Sequence, residues 1–465
     1  MDTISSDEYD VVIIGAGPGG EDCTTALLDA GMSVALVEAE IVGGECFNWA
    51  CVPSKAMLRP GHALRSASRS PGAREAITRP LDASAALSHR QHVVLHHDDS
   101  SVVESFTSAG AVFIRGRGCI EDRNRVVVTT SDGERRLRAR HAVILATGST
   151  AALPDIPGLA DAEPWTNREA TSATESPTKL IVLGSGAVGL ELAQAWRSLG
   201  TSEVIVLSRS GALLPDHEPF VGELVLEGLH QAGVEVRFNT QVSGVDRLAD
   251  GGVNLMMSDG TIERADELLV AVGKNPATVD LGIDTVGLTP GAFVDVGNDM
   301  RVAETDWLYA IGDVNGRALL SHQASYHGRI AASSVVQRAR GEGADLPDEV
   351  NETAVPQVLF TDPEVASVGL TLQQAESRGI RARKIETDLG AVLGAQLHAK
   401  DYRGRVSFTV DEDRDVLIGA TFVGQDVADM VHAATIAIVG QLTVRQLRHA
   451  VPSFPTMSEV WLELS

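Results

Sequence analysis

Two cysteines with four residues between them, Cys46 and Cys51 in "GGECFNWACVPSK", are the side chains whose type and spacing point most directly to chemistry. Neighbouring thiols can carry two electrons by opening and closing a disulfide. The chain has only two other cysteines, Cys23 and Cys119, too few for a structural disulfide framework in 465 residues. Five residues of an ideal α-helix climb about 7.5 Å, whereas the Cα atoms of a disulfide are seldom more than about 6.8 Å apart. A bridge therefore needs irregular backbone, around Gly43 and Gly44 or where a helix is deformed before Pro53, and bridges held in such places tend to be strained and reducible. The alternative is a pair of small buried thiols that fall close together by chance.

The elements that would position such a pair can be read on both sides of it. From Asp10 the chain runs "DVVIIGAGPGGEDCTTALLDAGMSVALVEAE". An apolar β-branched strand leads into Gly15, Gly17 and Gly20 at G-x-G-x-x-G spacing, then a helical stretch, then a second strand ending at Glu38. Gly15 permits a tight turn, Gly17 lets a pyrophosphate approach the backbone, Gly20 allows close helix–strand packing, and Glu38 is placed to bind ribose hydroxyls. The pattern recurs in "LIVLGSGAVGLELAQAWRSLGTSEVIVLSRS", with Gly184, Gly186 and Gly189, and a second strand ending near Ser208. Two dinucleotides are implied. At the second site Ser208 holds the place of the expected carboxylate and Arg209 follows it. An arginine there can meet a 2′-phosphate that a carboxylate would repel, so NADPH is favoured over NADH.

Composition narrows the partners. Acidic residues outnumber basic ones by 63 to 38, for a net charge of −25, and no Lys/Arg-rich run interrupts that bias. Nucleic acid and anionic membrane surfaces are not expected partners. The opening "MDTISSDEYD" is acidic and lacks the form of a signal peptide, and no apolar run approaches the roughly 18 residues of a spanning helix, so a soluble cytoplasmic protein is expected.

On these motifs the chain resembles the FAD-containing pyridine nucleotide–disulfide oxidoreductases, the family of lipoamide dehydrogenase, glutathione reductase and mercuric reductase. The resemblance covers nearly the whole chain. "GGECFNWACVPSK" looks like the family's redox-active segment, and "AVILATGSTAALPDIPG" like the crossing between its two nucleotide domains. "LLVAVGKNP" (with Gly273), "LYAIGDVNGRALLSHQAS" and "VPQVLFTDPEVASVGLT" look like its later signatures. The resemblance implies FAD at the first glycine motif, with Asp313 reaching the ribityl chain and Gly118 and Ser321 near the cofactor, and a nicotinamide dinucleotide at the second. It implies that Lys55 pairs with Glu191 beside the flavin, where an ammonium can stabilise negative charge on a reduced ring. Cys51 would be the thiol against the flavin and Cys46 the outer thiol that attacks substrate. Glu45, just before Cys46, departs from the small or neutral residue expected there.

A larger departure limits the reaction. Disulfide-reducing members carry a His-Pro segment followed by Glu near the C-terminus, in which the histidine protonates the leaving thiolate at the partner subunit's site. Here the segment is "SFPTMSE": Phe454 takes the histidine's place while Pro455, Thr456, Ser458 and Glu459 remain, and neither His432 nor His449 is in register. Loss of a positioned acid forfeits a factor on the order of 10²–10⁴ in rate. Mercuric reductases also lack that histidine but carry a cysteine pair near the C-terminus, for which "WLELS" has no counterpart.

The expected architecture is α/β: two Rossmann-like dinucleotide-binding domains and an α+β C-terminal domain through which the family forms homodimers. The expected borders are residues 1–148 for FAD, 149–276 for NAD(P), 277–349 for a central segment and 350–465 for the interface domain. Between residues 70 and 110 the chain reads as helices, with His89, His92 and His96 on one face; the outer two would be about 10 Å apart along the axis, too far to share an ion, and no metal site is expected. The leading expectation is an NADPH-dependent reductase cycling Cys46 and Cys51 and acting on a small-molecule disulfide or other acceptor. The competing expectations are a diaphorase or quinone reductase, a mercuric reductase-like enzyme, and a non-catalytic FAD-bound redox sensor.

Overall fold

The run Val11–Ile14 is apolar at every position because its strand is covered on both faces, as a central parallel strand must be. The computed structural model describes residues 7–342 and 352–464. They form two compact units, one made of Met1–Pro53, Gln91–Ala152 and Lys274–Glu352, the other of Ser54–Arg90, Leu153–Gly273 and Thr353–Ser465.

In the first unit the strand Asp7–Ile14 lies between Val34–Glu38 and Gly133–Leu145, parallel to both, with Val112–Arg115 added outside Val34–Glu38. Leu308–Ala310 also pairs in parallel with Gly133–Leu145, while Arg125–Thr130 and Arg117–Asp122 continue the sheet as antiparallel hairpins. The helix Pro18–Asp29 follows the first strand and packs against Ser321–Ala339. This is the expected nucleotide-binding sheet, with helices on its faces.

The second unit repeats the motif in a four-stranded parallel sheet, ordered Val234–Arg237, Glu203–Leu207, Lys179–Leu183 and Glu267–Val270. A three-stranded antiparallel sheet from Val242–Arg247 to Ile262–Ala265 accompanies it. The C-terminal part of this unit is a five-stranded antiparallel sheet whose central strands, Glu364–Gly369, Val416–Gly424 and Arg405–Asp411, enclose Phe408 and Phe422 in edge-to-face contact with Trp461 beside them.

The short ladder between Ser149–Ala151 and Lys274–Pro276 belongs to the first unit, which runs to Ala152 and resumes at Lys274, while Ser54–Arg90 groups with the second unit. The border expected at 349 lies outside the described residues. Among the described residues no helix is long and apolar enough to cross a membrane.

One expectation is corrected. The helix Ala83–Val93 carries His89 and His92, but His96 lies beyond its end with φ 54°. The three histidines do not share a helical face, because the chain turns left-handed after Val94. His92 and His96 meet edge to face at 6.3 Å, and among the described residues no cluster of three or more His, Cys, Asp or Glu could hold a metal.

Candidate active site

The two glycine motifs are built alike. Gly15 has φ 105° and Gly184 φ 118°, left-handed backbone that favours glycine, and a Cβ at either would lie within 2.4 Å of a carbonyl oxygen, of Ala146 or Ala271. A Cβ at Gly20 would strike the Gly15 carbonyl at 2.1 Å, and one at Gly189 the Gly184 carbonyl at 2.2 Å, so the third glycine lets the helix close on its own turn. The middle glycines differ: a Cβ at Gly17 would meet nothing nearer than 3.9 Å, and one at Gly186 nothing within 4 Å. Both are helix N-caps with no side-chain cap hydrogen bond, which leaves first-turn N–H groups for an acceptor from outside the helix. An uncapped helix N-terminus reached by side-chain-free backbone fits a pyrophosphate at each motif.

In the first unit, Glu38 ends its strand as expected, and its carboxylate accepts from Ala16 N–H (2.7 Å) and Glu40 N–H (2.7 Å). Burial raises its carboxyl above the ordinary value, against the lowering effect of those two bonds. Gly118 packs on Ile14, where a Cβ would lie 3.0 Å from a methyl group, so its lack of a side chain is used in packing beside the first motif. Asp313 sits in the 3₁₀ turn Gly312–Asn315 and accepts from Ser149 Oγ (2.6 Å) and Lys274 Nζ (3.2 Å).

The cysteines lie on two helices. Cys46 belongs to the six-residue helix Gly44–Trp49, entered through Gly43 and Gly44, both left-handed. That helix stops at Ala50 (φ −128°, ψ −95°), and a new one, Cys51–Arg69, starts with the second cysteine and includes Pro53 in its first turn. The irregular backbone that a bridge requires is therefore present, at the glycines and at Ala50. Cys51 Sγ lies 3.4 Å from the hydroxyl of Ser321, itself the first residue of a long helix. The buried Asn48 amide donates to the Val42 (3.1 Å) and Gly44 (3.0 Å) carbonyls and ties down the short helix, a role its sequence position did not announce.

In the second unit Lys55 Nζ and Glu191 Oε2 are 2.7 Å apart, the pairing the resemblance implied. Glu191 is only 4 % exposed, and its other oxygen accepts from Phe360 N–H at 2.9 Å, while the ammonium also lies over the Phe360 ring. A buried carboxylate so paired is compensated rather than stranded. At the second motif Ser208 is 1 % exposed and its hydroxyl bonds Ser185 Oγ (2.9 Å) and Ser210 Oγ (3.0 Å), while Arg209 is exposed at the strand end. The serine chain escaped sequence reading because single serines carry no spacing signal. Gly273 is left-handed with open space around it. Phe454 is 73 % exposed, His432 and His449 are exposed, and Glu459 accepts from Thr456 N–H at 3.1 Å.

His327 is a residue that sequence reading missed. It is 1 % exposed, and its Nδ1 faces both Gly312 N–H (3.3 Å) and Asn315 Nδ2 (3.3 Å), so it braces the turn that carries Asp313. With two donors aimed at Nδ1, that nitrogen must be unprotonated. Burial, helped by the Arg317 guanidinium and opposed by Asp313, lowers its pKa from 6.5 to about 4. The folded state thus binds fewer protons than the unfolded chain between those values, so its contribution is complete above pH 6.5 and is lost as pH falls towards 4. Chemical unfolding of wild type and His327→Asn across this window should give a stability difference that grows with pH by roughly 2–3 kcal/mol and is flat above it. A difference independent of pH would mean that the imidazole is not held neutral.

Comparison with known proteins agrees with this geometry. The family model described as pyridine nucleotide-disulphide oxidoreductase matches residues 9–328, and that of the same family's dimerisation domain matches 355–465. A mercuric reductase of Shigella flexneri is 33 % identical over 98 % of this chain and 80 % of its own length. A dihydrolipoyl dehydrogenase of Bacillus subtilis is 30 % identical over 98 % of this chain and 95 % of its own. Among solved structures, LpdA of Mycobacterium tuberculosis superposes with a TM-score of 0.83 at 25 % identity, covering 97 % of both chains. The flavoprotein disulfide reductase RclA of Escherichia coli shares the fold, with a TM-score of 0.84 at 23 % identity, covering 98 % of this chain and 99 % of its own. The chain is an enzyme of the pyridine nucleotide–disulphide oxidoreductase family.

Proposed function

We propose that this enzyme carries FAD at the first glycine motif and NADPH at the second, and passes electrons through the Cys46–Cys51 couple to a small-molecule acceptor, working as a homodimer in the cytoplasm. The observation that carries the reading is the break at Ala50, which puts the two thiols on separate helices that a bridge can join without distorting a regular one. FAD, when bound, would supply the two-electron step between nicotinamide hydride and disulfide. The uncapped helix at Gly17 would hold its pyrophosphate, Glu38 its ribose, and Asp313, with Gly118 and Ser321 nearby, the ribityl side. The Lys55 ammonium, kept in place by Glu191, would stabilise negative charge on the reduced ring.

With a disulfide acceptor the sulfurs balance as follows. The Cys46 thiolate attacks one acceptor sulfur, giving a mixed disulfide and releasing one thiolate, which takes up a proton. The Cys51 thiolate then attacks Cys46 Sγ, the second acceptor thiolate leaves and is protonated, and the bridge is restored. Both departures need a proton donor, and Phe454 cannot be one. That favours acceptors whose leaving group is stable without protonation, such as low-pKa thiols, over lipoamide or glutathione disulfide.

The deciding experiment is anaerobic NADPH reduction of purified holoenzyme, followed by a turnover screen with glutathione disulfide, lipoamide, an aromatic disulfide, quinones and mercuric ion. Steady turnover of the aromatic disulfide supports the proposal. Turnover of quinones alone would favour the diaphorase reading, of mercuric ion alone the reductase its relatives are named for, and reduction without turnover the sensor. The same assay tests the nucleotide. Arg209→Glu should lower the NADPH-to-NADH ratio of kcat/KM by a factor on the order of 10–10² through loss of a charge-assisted contact to the 2′-phosphate. An unchanged ratio would remove Arg209 from the site.

A further inference from the structure

Three consecutive residues other than glycine, Leu95 (φ 52°), His96 (φ 54°) and His97 (φ 59°), adopt the left-handed conformation after the helix Ala83–Val93. Single residues visit that region at a cost, and a run of three has to be held there by its surroundings. Local bonds from His97 N–H to Val94 O and from Asp98 N–H to Leu95 O, each 2.9 Å, close the turn. Burial does not explain it, since Leu95 is 41 % exposed.

What the turn achieves lies across from it, within the first unit. The His97 ring stacks on Trp49, with centroids 5.7 Å apart and planes inclined by 20°. Two residues on, the Asp99 carboxylate accepts from Val42 N–H at 2.7 Å and pairs with Arg115, whose guanidinium also bonds the Glu40 carbonyl. The segment 40–49 is thus gripped at its start, through Glu40 and Val42, and at its end, through Trp49. Cys46 lies between these points. A helix of six residues that starts on two left-handed glycines has little stability of its own, so its geometry has to be imposed from outside.

We propose that the segment 95–99, which opens with the left-handed turn at 95–97, is a clamp on the Cys46 helix and that His97 is a positioning residue for the outer thiol, acting through Trp49. This rests on the reading of Cys46 as the redox thiol. It accounts for the retained backbone cost at an exposed loop: without the left-handed run the chain would not bring an aromatic face and a carboxylate back onto the same short segment.

The test uses FAD-loaded enzyme reduced with NADPH and iodoacetamide as the probe, with Cys46 alkylation followed by peptide mass spectrometry beside turnover of an aromatic disulfide. His97→Ala should raise the alkylation rate and lower the turnover, each by at least about threefold, because a released helix exposes the thiol while misplacing it for exchange. Flavin reduction by NADPH should not change. His97→Phe, which keeps the stacking face, should restore both rates to within about twofold, and the Trp49→Ala/His97→Ala double variant should be no worse than either single one, since both remove the same contact. If His97→Ala fails to hold flavin, His97→Gln is read in the same way. The clamp is overturned if these variants leave both rates at wild-type values, or if His97→Phe gives no rescue. Cys46 alkylation that is independent of NADPH in the wild type would instead sink the underlying redox reading.

Discussion

Cys46→Ser should abolish disulfide reduction, by a factor on the order of 10³ or more, while leaving NADPH-driven flavin reduction and quinone turnover close to wild type. The asymmetry follows from where the sulfurs sit. Cys51 opens a helix with its sulfur on the Ser321 hydroxyl, whereas Cys46 belongs to a separate short helix. A serine hydroxyl at 46 is not ionised near neutral pH and cannot open an acceptor disulfide, yet it is close in size and leaves the Asn48 bonds to Val42 and Gly44 in place. The flavin half of the enzyme is left intact. Stopped-flow reduction and steady-state turnover on the same preparation separate the halves. A reductive titration adds an independent readout, since wild type should take up electrons for the flavin and the bridge and the variant for the flavin alone. Equal loss of quinone and disulfide turnover would place Cys46 in the flavin site, and retention of both would make the cysteines bystanders.

The parts of this design that were legible in the sequence are those in which chemistry fixes spacing. Gly15, Gly17 and Gly20 must follow a strand and open a helix for a pyrophosphate to be held, so their pattern reads directly, and the second set repeats it with the same steric contacts. The break between the cysteines was also foreseeable, because helix rise and disulfide reach do not agree; its location at Ala50 was not, since alanine carries no breaking signal. The histidine run misled for a related reason. Helical periodicity continues past Val93 on paper, but the contacts of Asp99 with Val42 and of His97 with Trp49 reward a left-handed exit, and contacts at such sequence distance leave no trace in local propensity. His327 was invisible because its meaning lies in the turn it braces, and the bonds that join Ser208 to Ser185 and Ser210 because hydroxyl chains form wherever folding brings them together.

Phe454→His should raise kcat/KM for lipoamide or glutathione disulfide by a factor on the order of 10², the lower part of the range for a positioned general acid. The lower part is the expectation, because Glu459, the carboxylate that would orient an imidazole, already accepts from Thr456 N–H at 3.1 Å. Its release costs one hydrogen bond at a half-exposed turn, about 1 kcal/mol, which an imidazole N–H can return. Stability should move little, within about 0.5 kcal/mol, since Phe454 is 73 % exposed and contributes little to the core. The pH profile identifies the mechanism. A histidine that protonates the leaving thiolate should give kcat/KM a new descending limb above about pH 6.5 that wild type lacks, whereas a gain from better acceptor fit alone would be independent of pH. Val451, Phe454 and Leu462 are all strongly exposed in a chain whose C-terminal part matches a dimerisation domain. On the homodimer reading the new acid therefore serves the partner subunit's thiols, and the gain should fall away on dilution below the dimer's dissociation constant. Family-typical lipoamide turnover by the wild-type enzyme, or no gain in the variant, would show that the missing histidine does not limit the reaction.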